Sequence, residues 1–346
     1  MESERILGQN HILRHFENAI RMGKISHAYI INGEEGSGKM NLAIHFAKAL
    51  QCERNNSNKA INEDGERITV PGTACGQCKS CKQTDSKNQP DIKYITYEKS
   101  GIGVDEIREQ INDDIDIKPY SSPYKIYIVP ESEKMTVQAQ NALLKTIEEP
   151  PEYAIIILLT TNADTFLQTI LSRCVMLNIR PVKEDIIKNQ LTSQYGVGDY
   201  EARVAATFSN GNPGKAIKLA TSEEFKELKQ YVVGMFMSLE KGGMDIIGEA
   251  IKKTGTFKKQ IDEYFSLMRI WFRDILVYKA TKEEDQIIFQ DEYMTIEKMS
   301  QTYSFEDIND ILKAIDLAES RIKSNVNFDS TIEILLLSIK EKTSGK

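Results

Sequence analysis

Two groups of residues in this chain have types and spacing that could do chemistry. The first is Cys75-Gly-Gln-Cys78-Lys-Ser-Cys81, two C-x-x-C steps sharing Cys78, with Cys52 23 positions upstream of Cys75. Four thiolates make a closed structural zinc site with no open position for water, so Cys52, Cys75, Cys78 and Cys81 are candidate Zn²⁺ ligands. Redox or iron–sulfur use of the same cysteines is the alternative. The second group is Gly33-Glu-Glu-Gly36-Ser37-Gly38-Lys39-Met40, which fits G-x-x-x-x-G-K between an apolar run and a helical pattern. Backbone amides of such a loop wrap a nucleotide's phosphates, and the lysine reaches the β- or γ-phosphate. Gly33, Gly36, Ser37, Gly38 and Lys39 are therefore candidate contacts for ATP or ADP.

The metal half of that nucleotide site is missing. Met40 stands where a Ser or Thr hydroxyl would hold Mg²⁺, and a thioether is a poor ligand for a hard cation. The second metal-holding position should end a later strand with Asp, but Lys125-Ile-Tyr-Ile-Val-Pro130-Glu131 places Pro130 there. Glu131 is left where a water-activating carboxylate would lie. Both losses fall on the metal side, so Mg²⁺ is not expected and hydrolysis is expected to be lost. Nucleotide binding stays open between weak Mg²⁺-free binding and an empty loop.

The elements that must position these residues alternate in type over the first half. Strands are expected at Ala28–Asn32, Ile92–Tyr97, Lys125–Val129, Ala154–Thr160 and Cys174–Leu177, and helices at Asn41–Gln51, Val104–Ile117 and Val137–Glu149. Near-continuous apolar runs such as Ile155–Leu159 suit strands buried on both faces, and the alternation implies a parallel α/β sheet. Thr136 reads as an N-cap, and Pro150-Pro151 as a stop for the helix it opens. Glu53–Thr73 is polar and reads as a loop. After Pro181 the strand signal ends. Val182–Ala220 reads as a small helical unit interrupted by Asn210-Gly-Asn-Pro-Gly214, and the rest is helical, with breaks at Gly242-Gly243 and near Ala280–Asp285.

Length and charge bound the reading. A chain of 346 residues suggests two or three domains. Its 44 basic and 51 acidic residues give a net charge of −7, which argues against holding nucleic acid by bulk charge alone. No apolar run approaches the roughly 20 residues of a membrane span. The charged start, Met1-Glu-Ser-Glu-Arg5, lacks a signal peptide's apolar stretch, so no membrane association and a cytoplasmic location are expected. Without a secretory leader an odd count of five cysteines is not a disulfide framework. Cys174 and the four histidines, none of which has metal spacing to the cysteines, read as ordinary packing or surface residues.

Several segments, in order, resemble the clamp-loader branch of the AAA+ ATPases. Ile6-Leu-Gly-Gln9 resembles the box near the adenine, and His27-Ala-Tyr-Ile-Ile-Asn-Gly33 the strand entering the phosphate loop. Asn141-Ala-Leu-Leu-Lys-Thr-Ile-Glu-Glu-Pro-Pro151 resembles the segment after the second metal motif, Thr160-Thr-Asn162 the first sensor, and Ile170-Leu-Ser-Arg-Cys174 the Ser-Arg-Cys motif. The segment Asn325–Leu337 resembles the last collar helix. The resemblance covers most of the chain and is weakest over about 232–304. It implies a fold that is α/β plus all-α. An AAA+ RecA-like sheet domain would span 1–180, with a zinc module at about 52–81. A helical lid would follow at 181–221 and an oligomerising collar at 222–346.

Active members of the family keep Thr or Ser after the lysine, Asp in the second metal motif, and Arg in a G-S-x-R-D-A pattern. Here Gly211-Asn-Pro-Gly214-Lys215-Ala216 puts Gly214 in the arginine's place. The resemblance therefore implies a non-hydrolysing clamp-loader subunit of DNA polymerase III. Arg173 would project into a neighbour's ATP site, where a guanidinium beside the γ-phosphate is worth roughly 10³–10⁵ in rate. Implied partners are gamma/tau and delta subunits and, through the assembly, the sliding β clamp and primer-template DNA. The rival readings are an active gamma/tau-like ATPase and a stand-alone zinc-containing nucleic-acid-binding protein.

Overall fold

A computed structural model of the chain describes residues 6–55, 71–98, 101–241 and 245–344. The chain divides into two compact units, Met1–Ile187 with Asn210–Lys215, and Lys188–Ser209 with Ala216–Lys346. The first unit holds an all-parallel sheet of β1 (Ala28–Asn32), β2 (Ile92–Tyr94), β3 (Lys125–Val129), β4 (Ala154–Thr160) and β5 (Val175–Asn178). Its order is β2-β3-β4-β1-β5, so β1 lies between β4 and β5. All five residues of β3 and all seven of β4 are buried, which is why Ile126–Val129 and Ile155–Leu159 read as near-continuous apolar runs.

Helices cover both faces of this sheet. On one, α1 (Asn10–Met22) and α2 (Lys39–Leu50) pack Phe16 and Phe46 ring on ring, centroids 4.0 Å apart, with Tyr29 edge-on. On the other, α5 (Val137–Glu148) buries Ala139, Leu143 and Ile147 against Tyr127, Val129 and Ile156. Short helices α3 (Lys79–Asp85), α4 (Val104–Ile107) and α6 (Gln168–Leu171) complete the first unit's connections. Thr136 caps α5 as expected, its side chain accepting the Ala139 N–H.

The second unit is helical among its described residues. Its elements are most of α7 (Glu184–Tyr195), α8 (Asp199–Phe208), most of α9 (Pro213–Thr221), α10 (Glu223–Lys241), α11 (Asp245–Thr256), α12 (Ile261–Thr281), α13 (Tyr293–Thr302), α14 (Phe305–Lys323) and α15 (Phe328–Ser344). Helix α12 is its axis: Trp271 and Phe272 are buried, and Trp271 stacks on Phe236 of α10 at 5.6 Å. Asp274 of α12, fully buried, accepts the backbone N–H groups of Ile288 and Phe289 at 2.7 and 2.8 Å and so fixes the loop before α13. None of the described helices is long and apolar enough to cross a membrane.

Several expected boundaries differ; α2 runs Lys39–Leu50 rather than 41–51, and α5 and β5 end one residue off, at Glu148 and Asn178. Strand β2 ends at Tyr94, not Tyr97, and β5 begins at Val175, not Cys174. The helix expected over 104–117 is α-helical only to Ile107 and then opens into a wider π turn, Arg108–Asn112. That turn lets Asn112 bridge to α5, donating to Ala142 O at 3.0 Å and accepting from Thr146 Oγ1 at 2.9 Å. Beyond it the Lys125 ammonium reaches the carbonyls of Asp114 and Ile117 at 2.6 and 3.0 Å, an anchor that hydrophobic periodicity does not register. Most of the loop expected over 53–73 lies outside the described residues, as does the break at Gly242-Gly243.

Candidate functional site

The glycine-rich loop follows β1 and opens α2, at the carboxyl ends of the strands where open α/β sheets place ligands. Gly36 and Gly38 adopt φ of +78° and +95°, a backbone that a side chain would strain. The Gly33 N–H is held by Thr160 O at 3.1 Å, which ties the loop to the end of β4. Lys39 folds back onto its own loop, its ammonium donating to Gly33 O at 2.6 Å and Glu34 O at 2.8 Å. Burial pushes this ammonium below the usual lysine range, against the pull of Glu133, Glu35 and Glu34. The Ser37 hydroxyl donates to Glu34 O at 2.6 Å, and Met40 packs against the core.

Part of the loop's surface is covered by the chain itself. Asn212 donates through Nδ2 to Glu35 O at 2.7 Å, and its Oδ1 accepts the Lys215 N–H at 3.1 Å. The Gly214 N–H donates to Gly36 O at 3.1 Å. A Cβ on Gly214 would lie 2.5 Å from that carbonyl oxygen and 2.8 Å from Gly36 Cα, so no residue but glycine fits without movement.

The two carboxylates after β3 have different partners. Glu131 has a left-handed backbone, φ 46°, and its carboxylate accepts from Lys134 Nζ at 2.9 Å and from the Tyr97 hydroxyl. Those two hydrogen bonds hold it below the usual carboxylate range. Glu133 is the acid oriented toward the first-sensor segment: it accepts from Thr161 Oγ1 at 2.8 Å and acts electrostatically on Lys39. Sequence reasoning singled out Glu131 and missed Glu133, because only the left-handed turn at Glu131 reveals which carboxylate swings inward. Asn162 caps the turn at Ala163–Thr165. Gln9, buried, clamps Arg180 by accepting its N–H at 3.0 Å and donating to its carbonyl at 2.7 Å.

The four candidate cysteines do come together: their Sγ atoms lie within 4.8 Å of one another. Cys75 Sγ and Cys81 Sγ are 3.9 Å apart, close to the ~3.8 Å that two thiolates at Zn–S ≈ 2.3 Å span across a tetrahedron. Backbone N–H groups point at the sulfurs, Cys75 N to Cys52 Sγ at 3.3 Å, Cys78 N to Cys75 Sγ at 3.3 Å and Cys81 N to Cys78 Sγ at 3.4 Å. Such donors favour the thiolate. The Cys52 thiol is drawn down to about 4, chiefly by its hydrogen bond with Cys81 and, against burial, by the Cys75 N–H. The donor set fits a metal ion in a closed tetrathiolate cage. The cluster is tied to α2, since Cys52 follows that helix and buried Lys48 of α2 pairs with Asp85 of α3 at 2.5 Å.

Arg173 lies far from the loop of its own chain. It precedes β5 while the loop follows β1, and the two strands are parallel neighbours paired from Tyr29↔Val175 to Asn32↔Asn178. Three strand steps, about 10 Å, separate the two ends. The guanidinium is exposed and held by Thr169 O at 3.0 Å through Nη1 and by Glu148 Oε1 at 2.9 Å through Nη2. Cys174, next to it, is half-buried, and burial pushes its thiol up to about 12, which leaves it inert at neutral pH.

A five-stranded parallel sheet in the order β2-β3-β4-β1-β5 with helices on both faces, a glycine-rich loop of the G-x-x-x-x-G-K pattern after β1 and a helical C-terminal region defines an AAA+-type fold. The sequence profile described as "DNA polymerase III, delta subunit" matches residues 8–183, half of the chain, and "DNA polymerase III, delta subunit, C terminal" matches 248–341: the chain belongs to this family of DNA polymerase III clamp-loader subunits. DNA polymerase III subunit delta' of Bacillus subtilis is 26% identical over 337 residues, covering 96% of each chain. Subunit tau of the same organism is 28% identical over 341 residues, covering 91% of this chain, which spans only 56% of the tau length. Among solved structures, a gamma subunit-related protein of Thermotoga maritima is 21% identical with a TM-score of 0.41, covering 96% of this chain and 99% of that one.

Proposed function

We propose that this clamp-loader subunit is of the delta-prime kind: it does not hydrolyse ATP itself but supplies Arg173 to a neighbour's ATP site. The observation that carries this reading is the state of the phosphate loop. Lys39 is bonded to Gly33 and Glu34, and Gly214 lies against Gly36 where active relatives carry the second-sensor arginine. Met40 and Pro130 also remove the side chains that would hold Mg²⁺. The full-length match to a delta' protein supports the same assignment.

In this reading the exposed guanidinium of Arg173 approaches the γ-phosphate bound by a gamma/tau subunit and stabilises charge that develops as the terminal P–O bond breaks. The four cysteines hold a structural Zn²⁺ that fixes the module following α2. Residues 1–180, 181–221 and 222–346 act as AAA+ domain, lid and collar. Together with gamma/tau and delta, the subunit loads the sliding β clamp onto primer-template DNA, and the ring rather than this acidic chain supplies the grip on DNA. The match to tau favours an active ATPase as the second reading.

Two measurements test the proposal. Co-purification with gamma/tau and delta is expected, and failure to assemble with them refutes it. The isolated chain is expected to show no ATP hydrolysis, and Mg²⁺-dependent turnover would establish the second reading instead.

A further inference from the structure

Nothing in the mechanism above explains why Arg173 has a fixed direction. An arginine on a turn between a four-residue helix and an edge strand has four rotatable side-chain bonds, and the entropy of freezing them would fall on the step it accelerates. Two contacts remove that freedom in advance. Thr169 O accepts from Nη1 at 3.0 Å, one helical turn back, with Ser172 Oγ at 3.4 Å beside it. Glu148, the last residue of α5, forms an ion pair with it, Oε1 lying 2.9 Å from Nη2.

The hydrogen bonds use Nη1, and the carboxylate charge sits beside Nη2. Among the described residues Nε has no hydrogen-bond partner. The Nε–H and an Nη2–H form the fork that binds two oxygens of a phosphate side by side. Nη1 is thus bound to the chain, while Nε–H keeps its capacity to meet an anion. Both side chains are about two-fifths exposed, so the pair adds little to the stability of the fold. Its placement explains more: Glu148-Glu149-Pro150-Pro151 ends α5 and keeps the carboxylate at a helix terminus that the prolines cannot extend.

We propose that Glu148 is a positioning residue for Arg173, holding its guanidinium in the direction from which it meets a phosphate carried by the neighbouring subunit. The proposal rests on the arginine-finger reading given above.

The test uses the reconstituted clamp loader and follows ATP hydrolysis with Arg173→Ala, Glu148→Ala, Glu148→Gln and the double Glu148→Ala/Arg173→Ala variant. Glu148→Ala is expected to lower kcat at the neighbour's site by about tenfold, short of the ~100-fold that a 1 Å misplacement can cost, with KM nearly unchanged. Glu148→Gln, which keeps an acceptor oxygen, recovers most of the loss. In the Arg173→Ala background Glu148→Ala has no further effect. Unchanged kcat in Glu148→Ala, a rise in kcat, or a loss that adds fully to that of Arg173→Ala overturns the inference while leaving the arginine finger standing. If Arg173→Ala itself leaves kcat unchanged in an assembled complex, the finger reading falls and the positioning role with it. Equal melting temperatures and equal yields of assembled complex exclude misfolding as the cause of any loss.

Discussion

The N–H of Gly214 donates to the carbonyl oxygen of Gly36 at 3.1 Å, so that two glycines lie backbone against backbone over the phosphate loop. The approach leaves no room for a side chain, with the ideal Cβ position only 2.5 Å from the Gly36 oxygen. Gly214→Ala is therefore expected to destabilise the chain by about 1–3 kcal/mol through overpacking, read as a lower melting temperature. A melting temperature equal to wild type would show that the contact is loose. Restoring the active relatives' arginine at this position would disrupt the contact further and, with Met40 and Pro130 in place, would not restore hydrolysis.

Lys39 gives a prediction of opposite sense. Its ammonium is bonded to the carbonyls of Gly33 and Glu34, and on the non-hydrolysing reading proposed above no turnover depends on it. Lys39→Ala is expected to leave the ATPase and clamp-loading rates of the reconstituted complex unchanged, and ATP is expected to cause no thermal shift of the isolated chain. A tenfold fall in either rate would mean that nucleotide occupies this loop.

How much of this was legible beforehand depended on what sets each feature. The inner strands β3 and β4 could be read because burial on both faces favours apolar residues, as in Ile155–Leu159, all nearly solvent-free. The cysteine cluster was legible because ligand number and spacing are written in the residue types. The π turn at Arg108–Asn112 was not, because the Asn112 contacts to Ala142 and Thr146 come from a helix thirty residues away. The distinction between Glu131 and Glu133 was hidden for a related reason: it depends on one backbone angle after Pro130. The closure of the loop by Asn212 and Gly214 joins positions nearly 180 residues apart, which no local pattern encodes.

For the cysteines, the protein as purified is expected to carry about one equivalent of Zn²⁺, and chelation to lower its melting temperature. Cys81→Ser, which removes a buried ligand, belongs among the large losses, about 4 kcal/mol or more. Elemental analysis that finds less than half an equivalent in folded protein would refute a zinc site.

Asp114 gives a pH dependence. Burial alone would push its carboxyl up, but hydrogen bonds from Lys125 and Tyr127 and the charges of Lys125 and Lys93 outweigh that and hold it below the usual range. A depressed carboxyl stabilises fully above the unfolded value of about 3.9, and that stabilisation is lost as pH falls through the folded value. Asp114→Ala also leaves Lys125, only 5% exposed, without its counter-charge, at a cost of about 3 kcal/mol at pH 7. The difference in urea midpoint between wild type and variant is expected to shrink below about pH 4. A difference that stays constant down to pH 3 would remove Asp114 from the account of acid stability.

The parallel pairing of β1 with β5 has a consequence for assembly. It sets the phosphate loop at one end of a strand pair and Arg173 at the other. Units that pass an arginine to the next unit's loop meet through two different surfaces, and such head-to-tail contacts either close into a ring or run on as an open row. On the reading proposed above, a unit that gives an arginine and whose own loop is partly covered has a donor side and no working acceptor side. Such a unit would stand at the end of the row.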